Sequence, residues 1–345
     1  MPDDRLNWLR RMPKVELHLH LEGAIPHYAF WEIIRKYGGD PAVDSCSDLE
    51  RRFCFTDFSH FIEIWDWKNG FLREYEDFTF LAEAVAKDLA SQRIIYAEAF
   101  FSPGDFATHG LQTQRLAEAV RAGLERVRQT EINLVVDLVR DYGPDRALRT
   151  LNEISELKDP RIVGVGIGGT EHRFPPELFA SVFAQARRLG FKTSAHAGET
   201  AGPESVWAAI RSLAVDRIGH ATRAIEDDAL VDHLAERRIP VEVCPVSNVR
   251  TGIVPSIEVH PVRQYLERGV LVTINTDDPA MFGNSLAGEF DLLARTFGLT
   301  NADLQTLTLN AARSAWISEE AKASLIRTIK AFTAEDAETP LRPLR

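Results

Sequence analysis

Short apolar runs alternate with longer amphipathic stretches along most of the chain. Apolar runs of about four to eight residues between polar or glycine-containing segments are typical of buried β-strands. We predict eight such strands, at residues 15–21, 94–101, 132–139, 162–167, 192–196, 217–220, 240–244 and 270–275. Because helical segments separate these strands, they are expected to pair in parallel.

Between the strands, apolar residues recur every three or four positions, as they do on amphipathic helices. The residues of three such stripes are Leu116, Val120, Leu124 and Val127; Leu178, Phe179, Val182, Phe183 and Ala186; and Val206, Trp207, Ile210 and Leu213. Eight strands that alternate with helices predict an α/β fold of the (β/α)8 TIM-barrel type. A doubly wound open sheet is the alternative, but residues 22–26 lack the glycine-rich phosphate turn typical of its first strand.

Two segments exceed the minimum that a barrel needs. Residues 27–92 form an insertion after the first strand that is long for such a connection. Its aromatic residues include Phe53, Phe55, Phe58, Phe61, Trp65, Trp67 and Phe71. They could cover a flat ring at the barrel mouth or form a satellite hydrophobic core. Residues 318–333 predict a capped C-terminal helix, and we expect residues 1–345 to form one domain with both additions.

Composition narrows the function classes. The 345 residues are 45% hydrophobic and 26% charged, as in soluble globular proteins, and the net charge of -11 argues against nucleic-acid binding. We expect no membrane span and no signal peptide, because neither type of apolar segment is present. The cysteines (Cys46, Cys54 and Cys244) form no Cys-x-x-Cys pair, which favours reduced thiols and a cytoplasmic location. Composition predicts nothing about oligomeric state.

The first predicted strand carries His18 and His20 on one face, because side chains at positions i and i+2 of a strand point the same way. Two imidazoles on one strand suit a divalent metal such as zinc, although two polar residues on a half-buried strand would look the same. Other predicted strands end in further candidates, which are His196 with Glu199, His220, and Asp277 with Asp278. In a barrel the carboxyl ends of all strands meet at one mouth.

Three imidazoles and one carboxylate form a ligand set that suits Zn²⁺ with an open position. The predicted ligands are His18, His20, His196 and Asp277. A second metal would need a bridging carboxylate or a modified lysine, and the fourth strand offers neither, so we expect one ion per chain. Nickel, iron or manganese are alternatives. The histidines expected not to be ligands are His27, His60, His109, His172, His233 and His260.

The predicted catalytic residues are Glu199, His220 and Asp277. A divalent metal makes hydroxide available near neutral pH, and Asp277 or His220 can orient the attacking water or take its proton. Glu199 lies three residues beyond His196 and can therefore point to a substrate. A partly desolvated carboxyl there can hold a proton near neutral pH and act as a shuttle. Asp278 follows a ligand and must project differently, toward the substrate.

Five ordered motifs resemble the adenosine deaminase family, and the resemblance runs from Pro13 to about Phe290. They are Glu-Leu-His-Leu-His-Leu-Glu-Gly at 16–23, His-Ala-Gly-Glu at 196–199, Arg-Ile-Gly-His at 217–220, Cys-Pro-Val-Ser-Asn at 244–248 and Asn-Thr-Asp-Asp-Pro at 275–279. The resemblance implies a (β/α)8 barrel that contains one zinc ion. It also implies that the protein hydrolytically deaminates a 6-aminopurine. It implies that Glu199 protonates purine N1 and that His220 assists the nucleophile. The predicted substrate-binding residues are His20, Glu22, Gly169 at purine N3, and Asp278 at N7.

The expected partner is a small purine, with adenosine or 2′-deoxyadenosine first, adenine second and a 5′-modified adenosine such as aminodeoxyfutalosine third. Glu22 stands where many adenosine deaminases have the aspartate that binds the 5′-hydroxyl, and Phe100-Phe101 replaces the usual Arg-Tyr. Both features are similar to adenine deaminases, whereas Ala221 replaces a common glycine. A metal-dependent amide or lactone hydrolase is the alternative enzyme class. A binding protein without activity is the third class.

Overall fold

The computed structural model describes residues 2–332, and its strands form one eight-stranded parallel sheet. The strands are β1 (Lys14–His20), β2 (Ile94–Phe101), β3 (Glu131–Asp137), β4 (Ile162–Gly166), β5 (Lys192–Ala197), β6 (Arg217–His220), β7 (Val241–Val243) and β8 (Val272–Ile274). Each strand pairs in parallel with the next one along the chain. The predicted (β/α)8 barrel is therefore confirmed, and the doubly wound alternative is excluded by this strand order.

The barrel closes between β8 and β1 through residues of the predicted site. Leu19 and Asp277 form a parallel bridge. The N–H of His20 donates to the Asp277 carbonyl over 2.8 Å, and the N–H of Asp277 donates to the His18 carbonyl over 3.1 Å. The side-chain oxygen of Asn275 accepts the His18 N–H over 3.1 Å. The hydrogen bonds that close the barrel therefore also fix the backbone of His18 and His20 relative to that of Asp277.

Helices surround the sheet and follow most of the strands. Within the described residues they are α1 (Pro2–Arg11), α2 (His27–Lys36), α3 (Cys46–Arg52), α4 (Phe58–Asn69), α5 (Tyr75–Ser91), α6 (Thr113–Leu124), α7 (Gly143–Leu157), α8 (Ala180–Arg188), α9 (Pro203–Ala208), α10 (Asp228–Arg237), α11 (Pro245–Arg250), α12 (Val262–Glu267), α13 (Pro279–Phe282), α14 (Leu286–Phe297), α15 (Asn301–Ser314) and α16 (Glu319–Ala331). Among them, no helix combines the length and the apolar character needed to cross a membrane.

Some element ends and one helical stripe differ from the sequence prediction, and β8 is three residues long where six were predicted. β7 has only three residues, because α11 begins at Pro245 with Cys244 as its N-cap. Leu178 is 49% exposed and does not join the buried stripe of α8. It lies in a 3₁₀ turn, Pro176–Phe179, whose tighter winding changes the angular spacing of side chains, so the helical pattern does not apply to it.

The insertion at residues 27–92 contains α2, α3, α4 and α5, and its aromatic residues divide into two groups. One group packs as a satellite core that consists of Phe30, Phe53, Trp67 and Phe71. The other group lines a cavity at the barrel mouth and consists of Phe58, Phe61 and Trp65. The insertion therefore contains both a packed aromatic core and aromatic rings that line the cavity.

At the opposite end of the barrel, α15 and α16 cover the start of β1. Leu17, Leu309 and Ile329 belong to one buried apolar cluster there. The Ser318 side chain accepts the N–H of Ala321 and caps the first turn of α16. The helix prediction extended to residue 333, which lies outside the described residues.

Candidate active site

Four imidazoles and one carboxylate meet at the carboxyl end of the barrel. One ligating atom from each of His18, His196, His220 and Asp277 lies within 4.8 Å of the others. The Nε2 atom of His20 lies 3.2 Å from His196 Nε2 and 3.3 Å from Asp277 Oδ1. The structure therefore brings together all four residues predicted as metal ligands, with His220 beside them. Among the described residues, the six histidines expected not to be ligands lie outside this group.

A buried carboxylate orients the His18 imidazole. His18 Nδ1 lies 2.8 Å from Glu242 Oε2, and both side chains are fully buried. Because a carboxylate accepts hydrogen bonds, the neutral imidazole carries its proton on Nδ1 and presents a lone pair at Nε2. That Nε2 is buried and has no hydrogen-bond partner, although Asp277 Oδ1 lies 3.3 Å away. An imidazole held this way suits a metal ligand, so the residues fit a divalent metal.

Glu242 is itself held by a buried cation. The Arg217 guanidinium pairs with Glu242 and also with Glu98, at 2.6 Å, and it stacks 3.5 Å from the Trp316 ring. Burial opposes ionisation of Glu242, but Arg217 and His18 hold the pKa of this carboxyl below its usual range. Sequence reasoning missed Glu242, whose only signal was a glutamate between two valines in a short apolar strand.

Asp277 is held as a carboxylate with a fixed orientation. The Ser247 hydroxyl donates to Asp277 Oδ2 over 2.6 Å. Burial opposes ionisation, but the imidazoles of His18 and His20 hold the pKa of Asp277 well below its usual range. Its backbone has a φ of 67°, and that of His220 has a φ of 59°, a region that few non-glycine residues adopt. Strained residues of this kind often cluster at functional sites.

Glu199 lies at the edge of the cluster, where its Oε1 is 3.7 Å from His220 Nε2. The side chain is buried, and burial together with the charges of Asp277 and Glu171 raises the pKa of Glu199 to about 8. At neutral pH this carboxyl therefore holds a proton that it can give to a substrate. This is the protonation state that the shuttle role requires.

The loop that carries Glu199 is held by Glu171. The buried Glu171 carboxylate accepts four backbone N–H groups, from Gly198 at 2.6 Å, Glu199 at 3.1 Å, Thr200 at 2.8 Å and Ala201 at 2.9 Å. This contact fixes where the Glu199 side chain leaves the backbone. Sequence reasoning assigned no role to Glu171, because a glutamate in a loop carries no sign of distant backbone partners.

A cavity of about 240 Å³ opens beside the cluster. Its inner wall includes His20, Glu199, Asp278 and Gly169, and its rim is formed by the aromatic residues of α4. Four further carboxylates line it, which are Asp66, Asp105, Asp137 and Asp141. Within the described residues, no lysine or arginine belongs to the lining. The cavity therefore suits an uncharged or cationic flat molecule rather than an anionic one.

Of the residues predicted to bind substrate, His20, Gly169 and Asp278 line this cavity, whereas Glu22 does not. Burial and the charge of Asp277 raise the pKa of Asp278 to about 7, and its Oδ1 is buried without a hydrogen-bond partner. Gly169 has a φ of 98°, and a Cβ there would overlap the Asp141 carboxylate, so the bare backbone forms the wall. Glu22 does not line the cavity, and its Oε1 instead accepts the Ser102 N–H over 2.9 Å.

The adenosine deaminase family model matches residues 13–332, which include every residue of this cluster. The chain belongs to the adenosine deaminase family. It is therefore a hydrolytic deaminase, as the resemblance of its motifs implied. Family membership does not assign the substrate, because curated relatives include an aminodeoxyfutalosine deaminase and an adenine deaminase.

Named relatives of similar identity carry two different activities. The chain is 34% identical over 336 residues to the aminodeoxyfutalosine deaminase of Streptomyces avermitilis, covering 96% of this chain and 94% of the relative. It is 33% identical over 336 residues to the adenine deaminase of Caulobacter vibrioides, covering 96% and 97%. These proteins deaminate different 6-aminopurine compounds, so sequence similarity supports the reaction more strongly than one substrate.

Solved structures support the same fold. An adenine deaminase from Arthrobacter aurescens superposes with a TM-score of 0.86 at 28% identity, covering 92% of this chain and 98% of that one. An amidohydrolase from Burkholderia ambifaria with bound Zn superposes with a TM-score of 0.88 at 26% identity, covering 97% and 95%. Both neighbours resemble this chain over nearly its full length.

Proposed function

We propose that this protein hydrolytically deaminates an uncharged 6-aminopurine, and that free adenine is its preferred substrate. The cavity carries this proposal, because its volume of about 240 Å³ lies below the usual range of about 300–1,000 Å³ for small-molecule pockets. A free base fits such a space better than a purine with a long 5′ substituent. The named adenine deaminases among the relatives support the same substrate.

Charge supports the choice of an uncharged substrate. The cavity lining within the described residues is rich in carboxylates and has no lysine or arginine. A phosphate or carboxylate group on the substrate would meet Asp66, Asp105 or Asp141 without a compensating cation. Adenosine, the substrate that the sequence favoured, is uncharged and becomes the second candidate. A 5′-extended adenosine comes third because it needs more space.

We propose that His18, His20, His196 and Asp277 hold one zinc ion, which when bound supplies a hydroxide nucleophile near neutral pH. His18 Nε2 is buried without a hydrogen-bond partner, and Glu242 fixes the other ring nitrogen, which supports this assignment. The set of three imidazoles and one carboxylate is typical of zinc with an open position. The zinc-containing structural neighbour agrees with it.

Glu199 and Asp277 transfer the protons in the proposed reaction. As oxygen adds to C6, the neutral Glu199 carboxyl gives its proton to purine N1, and Asp277 takes a proton from the attacking water. Asp277 then returns that proton to the amino group as the C6–N bond breaks and ammonia leaves. The proton that remains on the C6 oxygen passes to the Glu199 carboxylate, which gives the C6 carbonyl product and restores the neutral carboxyl. Asp278 binds N7, and the Gly169 backbone binds N3. The aromatic rim of α4, which includes Trp65, limits access of bulk water to the ring.

The substrate is tested by measuring ammonia release from the zinc-loaded protein with adenine, adenosine and a 5′-extended adenosine. We expect kcat/KM for adenine to exceed that for adenosine by about 10-fold or more. A higher value for either nucleoside would contradict the substrate assignment. A panel of amides and lactones run in parallel tests the alternative hydrolase class, and activity only on those compounds would contradict deamination.

A further inference from the structure

A chain of buried hydrogen bonds approaches His220 from the side that faces away from the reacting centre. His220 Nδ1 lies 3.1 Å from the Asn248 side-chain nitrogen, and the Asn248 oxygen lies 3.2 Å from His260 Nε2. The other ring nitrogen of His260, Nδ1, accepts the backbone N–H of Val262 over 3.1 Å. The side chains of His220, Asn248 and His260 are all buried.

The backbone N–H of Val262 fixes the positions of the protons along this chain. A backbone N–H can only donate, so His260 Nδ1 carries no proton and His260 Nε2 carries one. That Nε2–H needs an acceptor, and therefore the oxygen of the Asn248 amide faces His260. The amide nitrogen then faces His220 and donates to its Nδ1. The remaining proton of the neutral His220 ring must lie on Nε2.

We propose that Asn248 and His260 form a positioning relay that keeps the His220 proton on Nε2, so that His220 presents an N–H donor to the reacting oxygen. His220 Nε2 faces Glu199 Oε1 at 3.7 Å and Asp277 Oδ2 at 4.0 Å. A nitrogen that carries a proton can neither ligate a metal nor take a proton from water. The relay therefore leaves Asp277 as the group that takes the proton of the attacking water.

The contrast between His18 and His220 supports this assignment. Both imidazoles direct Nε2 toward the same centre, and one ligating atom from each lies within the 4.8 Å cluster. Glu242, which only accepts, faces Nδ1 of His18, whereas the donating amide of Asn248 faces Nδ1 of His220. Opposite partners on Nδ1 give the two rings opposite tautomers. The partner of Nδ1 therefore determines whether Nε2 of the ring can act as a metal ligand, as in His18, or as a hydrogen-bond donor, as in His220.

The tautomer can be read directly from the ring nitrogens of the zinc-loaded protein. Histidine labelled with ¹⁵N gives different shifts for protonated and unprotonated ring nitrogens, and loss of one set of signals in His220→Gln assigns this residue. We expect a protonated Nε2 and an unprotonated Nδ1 in His220. The reverse pattern would overturn the proposal. This measurement needs no substrate, so its failure is distinguishable from failure of the proposed function.

Asn248→Asp tests what the relay does, and this kinetic step rests on the proposed function. A carboxylate can only accept, so we expect His220 Nδ1 to become protonated, while zinc content stays at one ion per chain. We expect kcat for deamination to fall about 100-fold with little change in KM. The matched control is Asn152→Asp on the exposed face of α7, which makes the same chemical change far from the site.

Two results would overturn the relay's role. One is a wild-type tautomer pattern in Asn248→Asp, and the other is a changed pattern with an undiminished kcat. A residue that only stabilises the fold would lower the melting temperature without moving the His220 ring signals. If Asn248→Asp does not fold, the wild-type spectrum still decides the tautomer.

Discussion

In the absence of a metal, nearby carboxylates favour the positively charged form of the His18 and His20 imidazoles, in which both ring nitrogens carry a proton. Burial alone would favour the neutral rings, but Asp277 and Glu242 outweigh it and raise the pKa of His18 to about 9. The charges of Asp277 and Asp278 likewise raise the pKa of His20 to about 10. A metal can bind these nitrogens only by displacing their protons.

Zinc affinity should therefore depend on pH. Below the raised pKa values of about 9 and about 10, protons compete with the metal, so we expect affinity to increase as pH rises toward about 9. Calorimetric titration in buffers with different ionisation heats measures the protons released per zinc, and we expect release at neutral pH. An affinity that does not change with pH, with no proton release, would contradict this description.

Residue type and spacing were enough to predict that His18, His20, His196 and Asp277 meet at one mouth, because barrel topology brings strand ends together. Glu242, Glu171 and the relay through Asn248 and His260 could not be found this way. Their roles depend on contacts between segments far apart in the chain, and no local pattern encodes such contacts. His260 was predicted not to be a ligand, and its link to His220 appears only in the fold.

Neighbouring strands support the His18 ring through a cross-strand network. Glu242 of β7 accepts from His18 of β1 and from Arg217 of β6, and Arg217 also pairs with Glu98 of β2. All four side chains are buried. The barrel wall therefore fixes the orientation of the His18 ring, and it keeps a proton on Nδ1 when Nε2 gives up its proton to a metal.

Glu242→Gln should weaken zinc binding about 10- to 100-fold, because the amide can donate to His18 Nδ1 and favour the wrong tautomer. Competition with a chelator of known affinity measures this loss. The matched control is Glu236→Gln on the exposed face of α10. Equal zinc affinity in the two variants would show that Glu242 does not orient His18.

Glu171 links the segment after β4 to the loop after β5. Glu171→Ala should lower the free energy of unfolding by on the order of 2 kcal/mol, because it removes the acceptor of buried N–H groups such as that of Gly198. Glu171→Gln keeps one acceptor oxygen and should lose less. Denaturant unfolding of both variants measures the difference. Wild-type stability in Glu171→Ala would contradict the role assigned to this carboxylate.

The number and order of strands could be predicted because each apolar run is short and separated by a helical stripe. Element ends were harder to predict, since they depend on caps and turns. α11 shortens β7 by starting at Pro245, and the 3₁₀ turn before α8 exposes Leu178. The aromatic insertion was ambiguous because packing, rather than composition, decides which rings reach the cavity.

The whole molecule combines a barrel that carries the reactive groups with an insertion that limits the space above them. The reaction follows from motifs at the strand ends, whereas the proposed substrate choice depends on a cavity lined by α4 and by residues at the carboxyl ends of most strands. Sequence motifs alone therefore favoured adenosine. The volume of about 240 Å³ and the absence of a basic residue in the described lining favour adenine.

The deaminase mechanism is tested by ammonia release from adenine with zinc-loaded wild type and Glu199→Gln, with zinc measured in the same samples. We expect one zinc per chain in both, because Glu199 is not among the proposed ligands. Turnover should fall about 10²- to 10⁴-fold in the variant, which cannot protonate purine N1. Near-normal turnover in Glu199→Gln, or no ammonia from adenine with fully zinc-loaded wild type, would contradict it.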